Sequence, residues 1–227
     1  MRPSHLLQGL FLMPGMSSHS IRSHPNNACP ALATANILTY SPPSQPALTY
    51  SITIPNTTTA ANSGPIYLQI SAPTTLQWAS LGQGTQMESA NIFILYAASP
   101  TNITLSPRSS MDGGQSEPQY NPLANLTLLP GSGIGNGTMT ANIRCMNCLA
   151  AWPTLSSSNS SSVYTLDPEG VSTAWFWAVK SGPPINNSDP AADLAMHDDK
   201  GTMQLNLSLA QFPDSRSGSL DLSYNPF

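Results

Sequence analysis

The stretch "LQWASLGQGTQMESANIFILY", Leu76 to Tyr96, decides the fold. It opens on Trp78, loosens at Gly82 and Gly84, and presents one thioether, Met87, among polar residues. It closes in an apolar run, Ile92 to Tyr96. A short continuous run of this kind, rich in β-branched and aromatic residues, predicts a strand buried on both faces. Alternation recurs on either side of it. Tyr50, Ile52 and Ile54 alternate with Ser51 and Thr53; Ile66, Leu68 and Ile70 with Tyr67, Gln69 and Ser71. Met139, Ala141, Ile143 and Cys145 alternate with Thr140, Asn142 and Arg144, and "STAWFWAV" and "MQLNLSLA" follow near the end. No segment holds a 3.6-residue period over three turns. Short strands parted by Gly, Pro, Asn and Ser turns predict an all-β chain, an antiparallel β-sandwich.

The sandwich is expected over residues 48–222, after a Pro/Ser-rich lead-in at 31–47. Residues 1–30 are set aside as a signal peptide or a poorly ordered N-terminus. Arg2 and "HLLQGLFLM" have a signal's outline, but Gln8 interrupts the apolar region and no small-x-small cleavage site follows. Charged residues make up only 8% of the 227, with 7 Lys+Arg and a net charge of −4. So few cations cannot form the basic footprint that nucleic acid requires. No apolar run approaches the roughly 20 residues of a membrane span.

Seven N-x-[ST] triplets begin at Asn56, Asn102, Asn125, Asn136, Asn159, Asn186 and Asn206. A chain this rich in Asn, Ser and Thr makes some by chance. Phase argues for exposure at three: Asn102 opposes Ile103 and Leu105, Asn125 opposes Leu126 and Leu128, and Asn206 opposes Leu205, Leu207 and Leu209. The expected product is a secreted, extracellular glycoprotein, with "SSSNSSS" at 156–162 an exposed loop.

Cysteines stand at 29, 145 and 148. "CMNCLAAW" has Leu149 where covalent haem attachment needs His, lacks partner ligands for zinc, and lies outside any βαβ pattern. A local Cys145–Cys148 disulfide remains, with Cys29 left over. His5, His19 and His24 lie in the region set aside, so His197 is the predicted domain's one histidine. By pattern alone a histidine at a strand entrance is an ordinary surface residue, and Asp198 and Asp199 read as solvated turn carboxylates. No G-x-S-x-G marks a nucleophile. "GSGIGNG" at Gly131 lies between strands and reads as a hairpin loop, not a dinucleotide fingerprint. Met87 is by pattern core filler. Yet one Met and one His on separate loops, with small residues beside them, also meet the needs of six-coordinate haem.

At this point the chain resembles a known family. "WASLGQGTQM" with its following strand, "ITLSPR", "EPQYN", "LTLLPGSGIGNGTMTANIRCMNC", Trp152, "AWFWAVKSGPP" and the H-x-x-x-G of His197 to Gly201 resemble, in order, the cytochrome domain of fungal cellobiose dehydrogenase and related DOMON-type secreted cytochromes. The likeness runs from about Leu48 to Leu209. It implies an immunoglobulin-like, DOMON-type sandwich holding one non-covalent haem b for electron transfer. Met87 and His197 would be the axial ligands, with Trp78, Tyr96, Arg108 and Trp175 around the pocket or propionates. Implied partners are a flavin dehydrogenase or membrane cytochrome, and acceptors such as a copper polysaccharide monooxygenase, a quinone or ferric iron. No dehydrogenase chemistry is read in the chain itself. Residues 1–47 depart from the family's first strand and cysteine pattern. Two rival readings remain: a haem-free sandwich stacking sugars on Trp78, Trp152, Trp175 and Trp177, and a structural cell-wall glycoprotein.

Overall fold

The computed structural model describes residues 35–110, 114–153, 164–213 and 224–227. The strands, in chain order, are β1 (Leu38–Tyr40), β2 (Thr49–Pro55), β3 (Ile66–Pro73), β4 (Leu76–Gln83), β5 (Ile92–Ala97) and β6 (Ile103–Ser109). They continue with β7 (Gln119–Tyr120), β8 (Leu126–Leu128), β9 (Gly133–Gly135), β10 (Thr138–Cys145), β11 (Thr173–Ser181), β12 (Asp199–Leu205) and β13 (Gln211–Phe212). The one helical element among the described residues is a 3-10 turn, Leu207–Ala210.

Two sheets result. One runs β1-β2-β3-β10-β8, with β9 on β10 and β13 parallel to β2. The other runs β12-β11-β4-β5-β6-β7, antiparallel throughout. Their facing sides interdigitate. Ile52, Ile54, Leu68, Ile70, Met139 and Ile143 from the first sheet meet Leu81, Phe93, Leu95, Trp175, Trp177 and Met203 from the second. Each large apolar side chain buried here contributes about 1.5–3 kcal/mol, so this layer supplies the main folding drive. The expected all-β antiparallel sandwich is what forms.

Several details differ from expectation. Leu38–Tyr40 is already a strand paired with Ile52–Tyr50, inside what reads as lead-in. Leu76–Gln83, which looks like a loosened loop, is a central strand between β11 and β5. Gly82 suits it because a Cβ there would lie 2.0 Å from the Phe176 ring, so only glycine lets that ring lie against the strand. "MQLNLSLA" stops being a strand at Leu205; the 3-10 turn puts Leu207 in the core and leaves Leu209 62% exposed. The hairpin at "GSGIGNG" turns at Asn136 and Gly137, φ 50° and 74°, the left-handed pair that a two-residue hairpin needs; Gly133–Gly135 before it is strand. Cys145 and Cys148 are disulfide-bonded with Cα atoms 5.8 Å apart. Cys29, the N-terminal histidines, residues 156–162 and Asn159 lie outside the described residues.

Candidate functional site

The second sheet is apolar on its outer side as well. Trp78, Ile92, Ile94, Tyr96, Phe176 and Ala178 form a separate buried cluster there, with Met87, Ile185 and Leu194 packed against it. Strand alternation requires this: Ala79, Leu81, Phe93 and Leu95 face the core, so their neighbours in β4 and β5 must face out. Two connections cover the outer face, the loop 84–91 that carries Met87 and a strap, residues 183–197, between β11 and β12.

The Met87 loop is rooted by two fully buried amides. Asn91 Nδ2 donates to Gln83 Oε1 at 2.7 Å and to the Ala150 carbonyl at 2.8 Å. Gln83 Nε2 donates to the Cys148 carbonyl at 3.0 Å, and Asn91 Oδ1 accepts from the Trp152 N–H at 2.7 Å. The backbone closes between Gln83 N–H and the Asn91 carbonyl at 3.1 Å. The loop's base is therefore tied to the segment that the disulfide tightens. Gly84 (φ 96°) starts the loop in a conformation that side chains resist. Met87 is half-buried, and its methyl would lie 3.2 Å from a Cβ at Gly114.

The strap is held by side chains from β4, β5 and β6. Thr104 Oγ1 donates to the Asn187 carbonyl at 2.8 Å, the Tyr96 hydroxyl to Asp189, and Ser106 Oγ to Pro190 at 2.5 Å. Trp78 Nε1 donates to the Ala195 carbonyl at 3.1 Å. Arg108 is 2% exposed, and its five N–H groups meet five acceptors: Ser106 Oγ (2.8 Å), Glu117 Oε1 (2.5 Å) and the carbonyls of Pro118 (3.1 Å), Pro190 (3.3 Å) and Ala192. Glu117 Oε1 in turn accepts from the Leu194 N–H at 2.9 Å. Burial pushes the Tyr96 phenol up to about 12, against the pull of nearby Arg108, so it remains a donor at every ordinary pH.

His197 ends the strap, half-buried beside Met196, which is 82% exposed. Its imidazole has no hydrogen bond or ion pair among the described residues, although two carboxylates follow it. Those are engaged elsewhere. Asp198 pairs with Lys180 Nζ at 2.6 Å and accepts from the Ser181 N–H at 2.9 Å. Asp199 accepts from Ser44 Oγ at 2.8 Å and Gln45 Nε2 at 3.1 Å. These bonds hold both carboxyls below their usual range: Asp198 chiefly through Lys180, Asp199 chiefly through Gln45. They are anchors for the turn, not idle surface charges.

The structure thus gathers Met87, Trp78, Tyr96 and Arg108 on one face. Met87 hangs beyond its Gln83–Ile92 end, and His197 lies near its Trp78–Lys180 end. Trp175 points the other way, fully buried between the sheets. Its neighbour Phe176 takes the outer face, as strand alternation through "AWFWA" requires. Arg108 has no N–H left for an outside carboxylate, whereas Lys200, exposed and opposite Ala178, has no side-chain partner among the described residues. Trp78, Trp152, Trp175 and Trp177 are all 5% exposed or less, which removes the sugar-stacking platform. A groove of about 470 Å³ lined by Asn102, Leu128 and Pro130 includes none of these residues. Sequence reasoning missed Glu117 and the strap, since a carboxylate in a Pro-rich turn and a run of small polar residues carry no periodic signal.

Solved structures that share this fold include two cytochrome domains. The cytochrome b domain of pyranose dehydrogenase from Coprinopsis cinerea superposes with a TM-score of 0.60 at 16% identity, over 76% of this chain and 83% of that one. The cytochrome domain of Myriococcum thermophilum cellobiose dehydrogenase gives 0.61 at 19%, over 77% and 84%. The fold is that of the β-sandwich cytochrome domains. Residues 34–215 match the family model of the cytochrome domain of cellobiose dehydrogenase, and the chain belongs to that family. No curated protein sequence matches it.

Proposed function

We propose that this chain is an extracellular electron-transfer domain that holds one haem b between Met87 and His197 and exchanges single electrons with separate redox proteins. The observation that carries the reading is the pair of uncommitted donors. A thioether and an imidazole, neither with a polar partner among the described residues, flank an apolar outer face in a fold of the cytochrome family. The donor set suits haem iron, which takes one soft sulfur and one imidazole. When bound, the haem supplies a one-electron ferric/ferrous couple. The residues do the rest. The Gln83–Asn91 pair presents Met87, the strap presents His197, and Trp78, Ile92, Ile94 and Phe176 exclude water. Lys200, which has no side-chain partner among the described residues, is placed to take a propionate, a role that Arg108, with every N–H engaged, cannot fill.

Secretion is supported by the exposed acceptor triplets and the disulfide. Electron donors of the flavin dehydrogenase or membrane cytochrome type, and acceptors such as a copper polysaccharide monooxygenase, a quinone or ferric iron, fit a domain with 8% charged residues only through close surface fit, since long-range steering is weak. Purified protein loaded with haem and mixed with cellobiose should stay ferric until a flavin dehydrogenase is added. Rapid reduction by cellobiose alone would show a catalytic site in this chain and overturn the reading.

A further inference from the structure

The strap is fixed on both sides of His197, while the imidazole has no partner among the described residues. Up to Ala195 its carbonyls at 187, 189, 190, 192 and 195 accept from Thr104, Tyr96, Ser106, Arg108 and Trp78. From Asp198 onward the Val179 carbonyl, at 2.9 Å, and the Lys180–Asp198 pair take over. Connections of this length ordinarily run over the surface with their polar backbone in water. Here the acceptors are met by side chains rooted in a sheet, and one of the roots is a guanidinium that is only 2% exposed.

We propose that Arg108, with Glu117 as its counter-charge, is a positioning residue: it sets the strap, and through the strap the His197 imidazole, before any ligand arrives. The planar fork of an arginine is what reaches Ser106, Glu117, Pro118, Pro190 and Ala192 together; a lysine has three donors on one point and cannot. Glu117 balances the buried cation and also takes the Leu194 N–H, so the ion pair and the strap are one unit. This rests on the reading of His197 as an iron ligand.

The test compares R108K, H197A and wild type, each purified and reconstituted with haem, by optical and paramagnetic resonance spectra and by hydrogen exchange on the apo-proteins. In R108K the amides of 191–197 should exchange faster without haem. The loaded protein should show a high-spin fraction that free imidazole converts to low-spin, and haem affinity should fall roughly tenfold, the effect of one or two lost hydrogen bonds. A role confined to stability would lower the melting temperature and leave the spin state alone, and that result overturns the proposal. Should R108K fail to fold, Thr104→Val removes one strap bond from the same face. A smaller imidazole-rescued high-spin fraction supports the proposal, and an unchanged spectrum overturns it. H197A separates the two layers. If it keeps the wild-type spectrum, the ligand assignment is wrong; if it loses that spectrum while R108K keeps it, only the positioning role falls.

Discussion

At the scale of single residues, Met87 and His197 are distinguished by what they do not touch. Buried Arg108 has an acceptor for each of its N–H groups, whereas the half-buried Met87 sulfur and His197 imidazole have no polar partner among the described residues. Replacing Met87 by His should preserve six-coordination and lower the reduction potential, because thioether sulfur favours the ferrous state relative to a second imidazole. The expected drop is on the order of 0.1 V, a fraction of the roughly 0.8 V that axial ligands command. Spectroelectrochemistry reads it directly, and an unchanged potential would remove Met87 from the site. Each stands alone in its setting, one Met in a Gly-flanked polar loop and one His outside the N-terminus, but pattern alone reads both as ordinary residues, and only the family resemblance singles them out. The resemblance also names Arg108, but its bonds to the strap are not legible in the sequence. Its partners Pro190 and Ala192 lie more than 80 residues away, and only the fold brings them to it.

Among the elements, the strap and its anchors set the response to acid. The Lys180 and Ser181 bonds stabilise ionised Asp198, and the Gln45 and Ser44 bonds stabilise ionised Asp199, so both folded-state values lie below the ordinary 3.8. Such groups contribute stability that is complete above the unfolded value and is lost as pH falls through the lowered folded one. The strap's His197 end should therefore loosen only below about pH 4, and Asp198→Asn should abolish part of that pH dependence. Hydrogen exchange of residues 195–200 against pH measures this, and an identical profile in the variant would contradict it. Strands with clean alternation, β2, β3, β10 and β11, could be read from the sequence. Strand β4 could not, because Gly82 and Gln83 look like turn residues. The glycine admits the Phe176 ring, and the glutamine is fully buried against Asn91 and Cys148, pairings that no local pattern encodes. The end of β12 is hidden from pattern because the leucines at 205, 207 and 209 keep alternating in sequence after the backbone has turned.

For the molecule as a whole, charged residues are only 8% of the chain, so its polarity falls to Ser, Thr and Asn. In a secretory eukaryotic host Asn56, Asn102, Asn125, Asn136 and Asn186, all exposed, should carry glycans. Asn206 should be modified least, since it is half-buried and its Oδ1 accepts from Ser208 Oγ at 2.6 Å. Glycopeptide mass spectrometry gives the site occupancies; uniform absence of glycan would contradict an extracellular destination. The sandwich architecture was legible from strand period and turn chemistry alone. The covered outer face was not, because its lid is an irregular segment.

The central claim is that one haem is held by Met87 and His197. It is tested most directly by near-infrared magnetic circular dichroism of the ferric, haem-loaded protein, beside His197→Ala. Wild type should show the sulfur-to-iron charge-transfer band of mixed thioether–imidazole ligation, with one haem per chain. His197→Ala should lose that six-coordinate signature, either by failing to retain haem or by becoming high-spin. A wild-type spectrum of bis-imidazole type, or a His197→Ala variant that keeps the native low-spin spectrum, would contradict it.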